Sequence, residues 1–167
     1  MSELGSRQFE HEPKISECKN RLLHLSNILG ETKISIDYTA VSRPFELAKL
    51  LCEHGFNVFR IYADSVSAGD KSAFLWLKEN APEIEIFATV HPKMRVLSRE
   101  SSEKTLAIGQ KAAYFTGTQN FVNMVEGGGL WGYEGILKLC DKIEDAFLYE
   151  KDAKKLIQIK GLGCGCC

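Results

Sequence analysis

Five short apolar runs, each rich in β-branched or aromatic residues, recur along the chain with helix-like segments between most of them. They are KISIDYTA (33–40), NVFRIYA (57–63), EIEIFATV (83–90), TLAIG (105–109) and NFVNMVE (120–126). Runs of this length bounded by Gly, Pro, Asn or Asp read as strands. The intervening segments carry apolar residues three and four apart. Leu47, Ala48, Leu51 and Cys52 form one stripe; Pro44 suits the first turn, Ser42 is the expected cap and Gly55 the stop. SAFLWLKENA (72–81) ends at Pro82, and QKAAYFTG (110–117) ends on a glycine. The last helix, Tyr133 to Leu148, shows Ile136, Leu139, Cys140, Ile143, Ala146 and Phe147 on one face. A first helix, Asn20 to Leu29, carries Leu22, Leu25, Ile28 and Leu29 and stops at Gly30. Residues 91–103 show no pattern beyond one helical turn.

Strands alternating with helices predict βαβ units with right-handed crossovers. The expected architecture is a three-layer α/β, Rossmann-like domain with a mainly parallel sheet of about five strands. It spans 20–150, between a flexible polar arm (1–19) and a tail (151–167) with a Gly/Cys-rich end. A length of 167 residues suits one domain with a proper core.

Charge narrows the function. Lys+Arg (21) nearly balances Asp+Glu (22), which excludes a phosphate-backbone footprint, so no nucleic-acid partner is expected. No apolar run approaches bilayer thickness, and MSELGSRQFEHEPK lacks a signal-peptide core. No membrane association and a cytoplasmic location are therefore expected. The six cysteines do not space as a disulfide framework, and reduced thiols follow.

The stretch VEGGGLWGYEG (125–135) contains a dinucleotide fingerprint, G-x-G-x-x-G, in Gly127, Gly129 and Gly132. Its place argues against that role. The fingerprint belongs to the first strand–helix turn, with an acid about 20 residues on at the next strand end. Here it follows the last strand, and Glu126 and Glu134 flank it with the wrong charge for pyrophosphate.

Ligands of parallel α/β sheets bind beyond the carboxyl ends of the strands. The segments reaching that edge are Ser42–Arg43–Pro44, Asp64–Ser65, His91–Pro92–Lys93, Gly109–Gln110–Lys111 and Glu126 to Gly129. They gather Arg43, His91, Lys93 and Lys111, with Asp64 and Glu126 nearby. Lys111 and Arg43 are candidates for an anionic ligand, and His91 for an acid–base or ligand group. Each is also compatible with ordinary loop polarity.

KISIDYTAVSRP, IGQKAAYF and GGLWGYEGILKLCDKIEDAFL, read together and in order, resemble the nitrogenase component 1 type oxidoreductase family. That family includes the α and β chains of the molybdenum–iron protein, their cofactor-assembly scaffold relatives and the dark protochlorophyllide reductase subunits. Its members have three Rossmann-like domains. The last opens on a strand with an SRP-like turn and closes with a small-residue loop and a G-[FY]-[DE]-G helix start. The resemblance covers about Arg21 to Leu148, the C-terminal domain alone. It implies a domain of a nitrogenase-like oxidoreductase or metallocluster-assembly scaffold, lining a cofactor cleft or subunit interface and not catalytic alone. Lys111 matches the family's cofactor-side lysine; the candidate cofactor-binding residues are Arg43, His91, Lys111, Gly127, Gly128 and Gly129, and catalytic residues are not assigned. The implied cofactor is an iron–sulfur or related metallocluster, held together with other domains or subunits. Implied partners are a nitrogenase-like subunit and an iron–sulfur reductase, and a homo-oligomer is also compatible. The domains that carry the family's cluster cysteines have no counterpart here. Val125 stands where catalytic α chains place a metal-ligating His, and valine has no donor atom.

The tail offers a reading of a different class. Cys164, Cys166 and Cys167 put three thiols within four residues, a set that can take a soft metal or an iron–sulfur cluster. A stand-alone metal or iron–sulfur binding or carrier module is the alternative function. Cys52 and Cys140 are read as core, and Cys18 as a thiol in the polar arm with no partner nearby. Trp131 is read either as an interface residue or as packed onto the sheet edge.

Overall fold

The first helix begins well before the apolar stripe that announces it. In a computed structural model, which describes residues 11–96, 104–152 and 155–156, α1 runs from His11 to Leu29. Its first two turns fall in the stretch expected to be a flexible arm, which is a correction for residues 11–19. Cys18 extends the buried stripe of Leu22, Leu25 and Leu29 one turn toward the N-terminus. The polar outer face is held by the last helix, α5 (Gly132–Leu148). Arg21 reaches both Asp141 (2.9 Å) and Glu144 (2.5 Å), Lys14 pairs with Glu134 (3.2 Å), and His11 meets the Tyr133 hydroxyl (3.0 Å). Helix stability there comes from packing on a partner rather than from local propensity, so local reading misses it.

The remaining elements are β1 (Lys33–Asp37), α2 (Pro44–Glu53), β2 (Val58–Tyr62), α3 (Lys71–Asn80), β3 (Glu85–Phe87), β4 (Thr105–Ile108), α4 (Gln110–Thr116) and β5 (Phe121–Val122). All strand pairings are parallel, in the order β3-β2-β1-β4-β5. This is a three-layer α/β fold. Ile36 of β1 lies opposite Ile61 and Ile108, which puts apolar side chains of three central strands in one row. Each such fully buried Ile contributes ~1.5–3 kcal/mol. β1 and β2 slip by one residue between Ile34 and Ser35, so Ile34 faces Val58 while Ser35 faces Arg60.

The chain leaves β1 toward β2 and β3 on one side, then crosses back to β4 and β5 on the other. Right-handed crossovers place the helices of these two excursions on opposite faces. The main core accordingly joins Leu25, Ile34, Ile36, Phe45, Leu51, Ile61, Leu106, Ile108 and Ile143 beneath α1, α2, α3 and α5. A smaller cluster of Tyr62, Met94, Ala107, Ala112, Ala113 and Phe121 lies under α4. Tyr62 stacks between Phe87 and Phe115 there.

Several strand ends are shorter than the apolar runs suggest. β3 starts only after a turn at Ala81 to Ile84, where the Ile84 N–H bonds the Ala81 carbonyl. β5 pairs over two residues because the chain then turns away toward β1. Ser42 is not the cap of α2: Arg43 holds the N-cap position without a side-chain bond. The Glu46 N–H of α2 is instead accepted by Asp70 Oδ1 at 3.1 Å, a buried carboxylate from the turn before α3. Cys140 is buried and Cys52 half-buried, as core thiols should be. Cys18 is buried against α5 with its Sγ 3.5 Å from the Tyr133 carbonyl, which corrects its reading as an arm thiol without a partner. Burial raises all three thiols, Cys52 and Cys140 to about 11. Among the described residues, no helix is long and apolar enough to cross a membrane.

Candidate functional site

The carboxyl ends of β1, β2, β3 and β4 converge with the start of α4, and two polar clusters of opposite character stand there. The first is centred on Asp37, the last residue of β1. It is fully buried, and its two oxygens accept four hydrogen bonds. Oδ1 takes the Thr39 N–H (2.8 Å), the Thr39 hydroxyl (2.5 Å) and the Ala40 N–H (3.0 Å); Oδ2 takes the Ala112 N–H (2.8 Å). Asp37 therefore ties the turn after β1 to the first turn of α4, satisfying the Thr39 and Ala112 N–H groups that would otherwise be orphaned. Gly109 makes room for it. Its φ is +110°, and a Cβ at that position would overlap the Asp37 carboxylate. The glycine of IGQK thus serves the packing of a carboxylate.

The second cluster lies nearer the surface. Lys111, half-buried on α4, donates from Nζ to the Tyr38 hydroxyl at 2.5 Å and lies 3.5 Å from the Thr89 hydroxyl. Its ammonium also sits 4.3 Å from the Tyr38 ring centroid. The Thr89 hydroxyl is 2.9 Å from both Asp64 oxygens, and the Val90 N–H donates to Asp64 Oδ1 at 3.2 Å. Burial alone would raise the Asp64 carboxyl. Hydrogen bonds from Thr89, Tyr38 and the Val90 and Thr89 backbone outweigh it and hold Asp64 below its ordinary value. Lys111, Tyr38, Asp64 and Thr89 form a ring from four separate segments, with the cation and the carboxylate joined through two hydroxyls.

The other residues expected at this edge do not join the ring. Arg43 is exposed, and its guanidinium lies against Gly69, where a Cβ would come within 3.1 Å of Cζ. It is directed to the loop between β2 and α3, beside buried Asp70. Burial pushes the Asp70 carboxyl up, and Arg43 is among the weaker influences drawing it down. His91 is exposed, and its Nδ1 accepts the Lys93 N–H at 3.2 Å, capping the 3-10 turn Pro92–Arg95. Tyr38 and Thr89 were not singled out from the sequence. Their signal was position: both stand one or two residues past a strand's carboxyl end.

The glycine loop folds as a left-handed turn. Glu126, Gly127, Gly128 and Gly129 have φ of 51°, 76°, 58° and 73° in succession. Such a run is costly for residues with a Cβ and open to glycine. The Glu126 N–H donates to the Thr39 carbonyl (2.8 Å) and the Gly127 N–H to the Ala40 carbonyl (2.7 Å). The Gly128 N–H turns back to Val125 (3.0 Å) and the Leu130 N–H to Gly127 (3.0 Å). Donors that a phosphate cradle would aim outward are spent fastening β5 to the turn after β1. The geometry agrees with the position and acidity of the stretch in excluding a dinucleotide loop. Trp131, next to it, is 84% exposed and does not pack onto the sheet edge. Val125 is exposed at the base of the loop.

Among the described residues, no three His, Cys, Asp or Glu side chains gather as a metal site. Cys164, Cys166 and Cys167 lie outside the described residues. An apolar cavity of about 150 Å³ opens between α3 and β3, lined by Ile61, Phe74, Leu77, Ala81, Ile84 and Ile86, away from the carboxyl-edge ring.

No protein-family model and no curated protein matches the chain. A solved chain of nitrogenase Cp1 at pH 6.5 does match in structure, with a TM-score of 0.57 and 14% sequence identity. The match covers 82% of this chain and 33% of the nitrogenase chain, so this chain spans about a third of the length of the protein it resembles. At that identity the likeness is one of fold.

Proposed function

We propose that this chain is a domain of a nitrogenase-like oxidoreductase or of a metallocluster-assembly scaffold. It lines a cofactor cleft or a subunit interface through its carboxyl edge and is not catalytic alone. The observation that carries the reading is the extent of the structural match: nearly the whole described fold corresponds to one third of a nitrogenase component 1 chain. The ordered motifs after β1, before α4 and before α5 support it.

The described residues do not fit a role as holders of a cluster. Val125 has no donor atom, and no ligand set is present among them. What they offer is positioning. Lys111 presents a cation at the sheet's carboxyl edge, and the left-handed glycine loop keeps side chains away where a neighbour must come close. A cluster and its ligands come from other domains or from a partner subunit, with an iron–sulfur reductase as the source of electrons.

The test is anaerobic mixing of the full chain with a cluster-bearing nitrogenase component 1-like subunit, followed by size-exclusion chromatography read at the cluster's absorbance. Co-migration of this chain with the chromophore, weakened by Lys111→Glu and by Trp131→Ala, supports the reading. Separate migration at all concentrations sinks it.

A further inference from the structure

We infer that Asp64 is the specificity-determining residue of the Lys111 site, setting it to accept a neutral or singly charged oxygen ligand and to refuse phosphate esters. The inference rests on the reading of Lys111 as a ligand contact and deepens it. An ammonium has three N–H donors. Tyr38 and Thr89 receive two of Lys111's, at 2.5 and 3.5 Å, which leaves one for a ligand. An unaccompanied lysine would favour the most highly charged anion available. Here its charge is matched by Asp64, one hydroxyl away on each side of the ring: Thr89 bonds Asp64 at 2.9 Å, and Tyr38 bonds it as well.

Arg43 and His91, two of the basic residues expected at this edge, do not join the ring. Arg43 is turned to the Gly69–Asp70 loop, and His91 caps its own turn. A dianionic phosphate at Lys111 would therefore meet the Asp64 carboxylate across the same ring that holds the cation. A single carboxylate or carbonyl oxygen would take the third N–H at far smaller electrostatic cost. A second observation points the same way. The backbone N–H groups of Glu126 and Gly127, which could have shared the charge of a phosphate, are bonded to Thr39 and Ala40. Tyr38 and Thr89 act as positioning residues, holding the ammonium by one flank and the carboxylate by the other.

The experiment is an NMR titration of the full isotope-labelled chain with acetate and with inorganic phosphate, at pH 8 and constant ionic strength, reading the Lys111 ε-methylene signals. Acetate is expected to shift them at a concentration about tenfold lower than phosphate does. Asp64→Asn should close that gap by tightening phosphate about tenfold while changing acetate only a few-fold. Thr89→Val, which frees Asp64 from the ring, is the second variant should Asp64→Asn not give a folded spectrum. It should weaken acetate and leave phosphate weak. If Lys111 responds to both anions and neither variant changes their ratio, the role of Asp64 is overturned while Lys111 stands as a ligand contact. If Lys111 responds to neither anion in any variant, both the inference and the reading beneath it fail.

Discussion

The two carboxylates at the sheet's carboxyl edge, Asp37 and Asp64, end adjacent strands yet do opposite work. Asp37 is fully buried, and every hydrogen bond it accepts comes from the fold: two backbone N–H groups and a hydroxyl of its own turn, and one N–H of α4. Asp64 is exposed, and its partners lead outward to a lysine with a donor to spare. Burial with complete saturation suits architecture; exposure with an incomplete donor set suits the ligand contact proposed for Lys111. Perturbing each cluster should therefore move different quantities, stability for the first and binding for the second.

Gly109→Ala should be the most damaging change. It forces a Cβ into the Asp37 carboxylate at a φ of +110°, and a loss of more than about 3 kcal/mol in denaturant unfolding is expected. Asp37→Ala comes next at about 3 kcal/mol, because it strands the Thr39 and Ala112 N–H groups, while the Ala40 N–H keeps the Asp37 backbone carbonyl. If either variant unfolds like the wild type, Asp37 is not the hub described.

Asp70 separates capping from charge. Asp70→Ala removes the acceptor at the start of α2 and should cost about 1–2 kcal/mol. Asp70→Asn keeps an acceptor and should be nearly neutral at pH 7. The sign follows from the raised Asp70 carboxyl. The fold favours its protonated form, so stability falls as pH rises from the ordinary aspartate value, about 3.9, through the raised one. The Asn variant should flatten that stretch of the stability–pH curve. Asp64, held low, has the reverse slope: its contribution is present above the ordinary value and is lost as pH falls through the lowered one.

Lys111→Met should have the smallest effect on stability, within about 1 kcal/mol, as expected for a partly exposed ammonium. It should nonetheless abolish any response to small anions at this edge. A loss of stability as large as that of Asp37→Ala would make Lys111 part of the architecture and erase the contrast between the two clusters.

Much of the fold was legible because its signals are local. β-branched runs alternating with apolar stripes announce a parallel α/β sheet whatever the tertiary details. The first turns of α1 were not legible, since His11 and Cys18 meet Tyr133 on α5, more than a hundred residues away. The capping of α2 was misread for the same reason: Ser42 is the local candidate, but Asp70 arrives from a later turn. In the site, Lys111 could be picked out by its position after a strand–glycine turn. Tyr38 and Thr89 could not, because a tyrosine or threonine past a strand end is ordinary until the sheet order brings β3, β2, β1 and β4 side by side. The glycine loop shows the limit most plainly. Its spacing is that of a phosphate loop, and only the bonds from Glu126 and Gly127 to Thr39 and Ala40 reveal that its donors are already spent.

The central claim, a positioning domain that relies on others for its cluster, is tested most directly by iron content. The intact chain and a chain truncated after Lys160 would be purified anaerobically and analysed for iron and visible absorption. The account predicts two colourless proteins with no iron above background and the same fold. Stoichiometric iron on the intact chain, lost with the segment holding Cys164, Cys166 and Cys167, would contradict it and establish the carrier function instead.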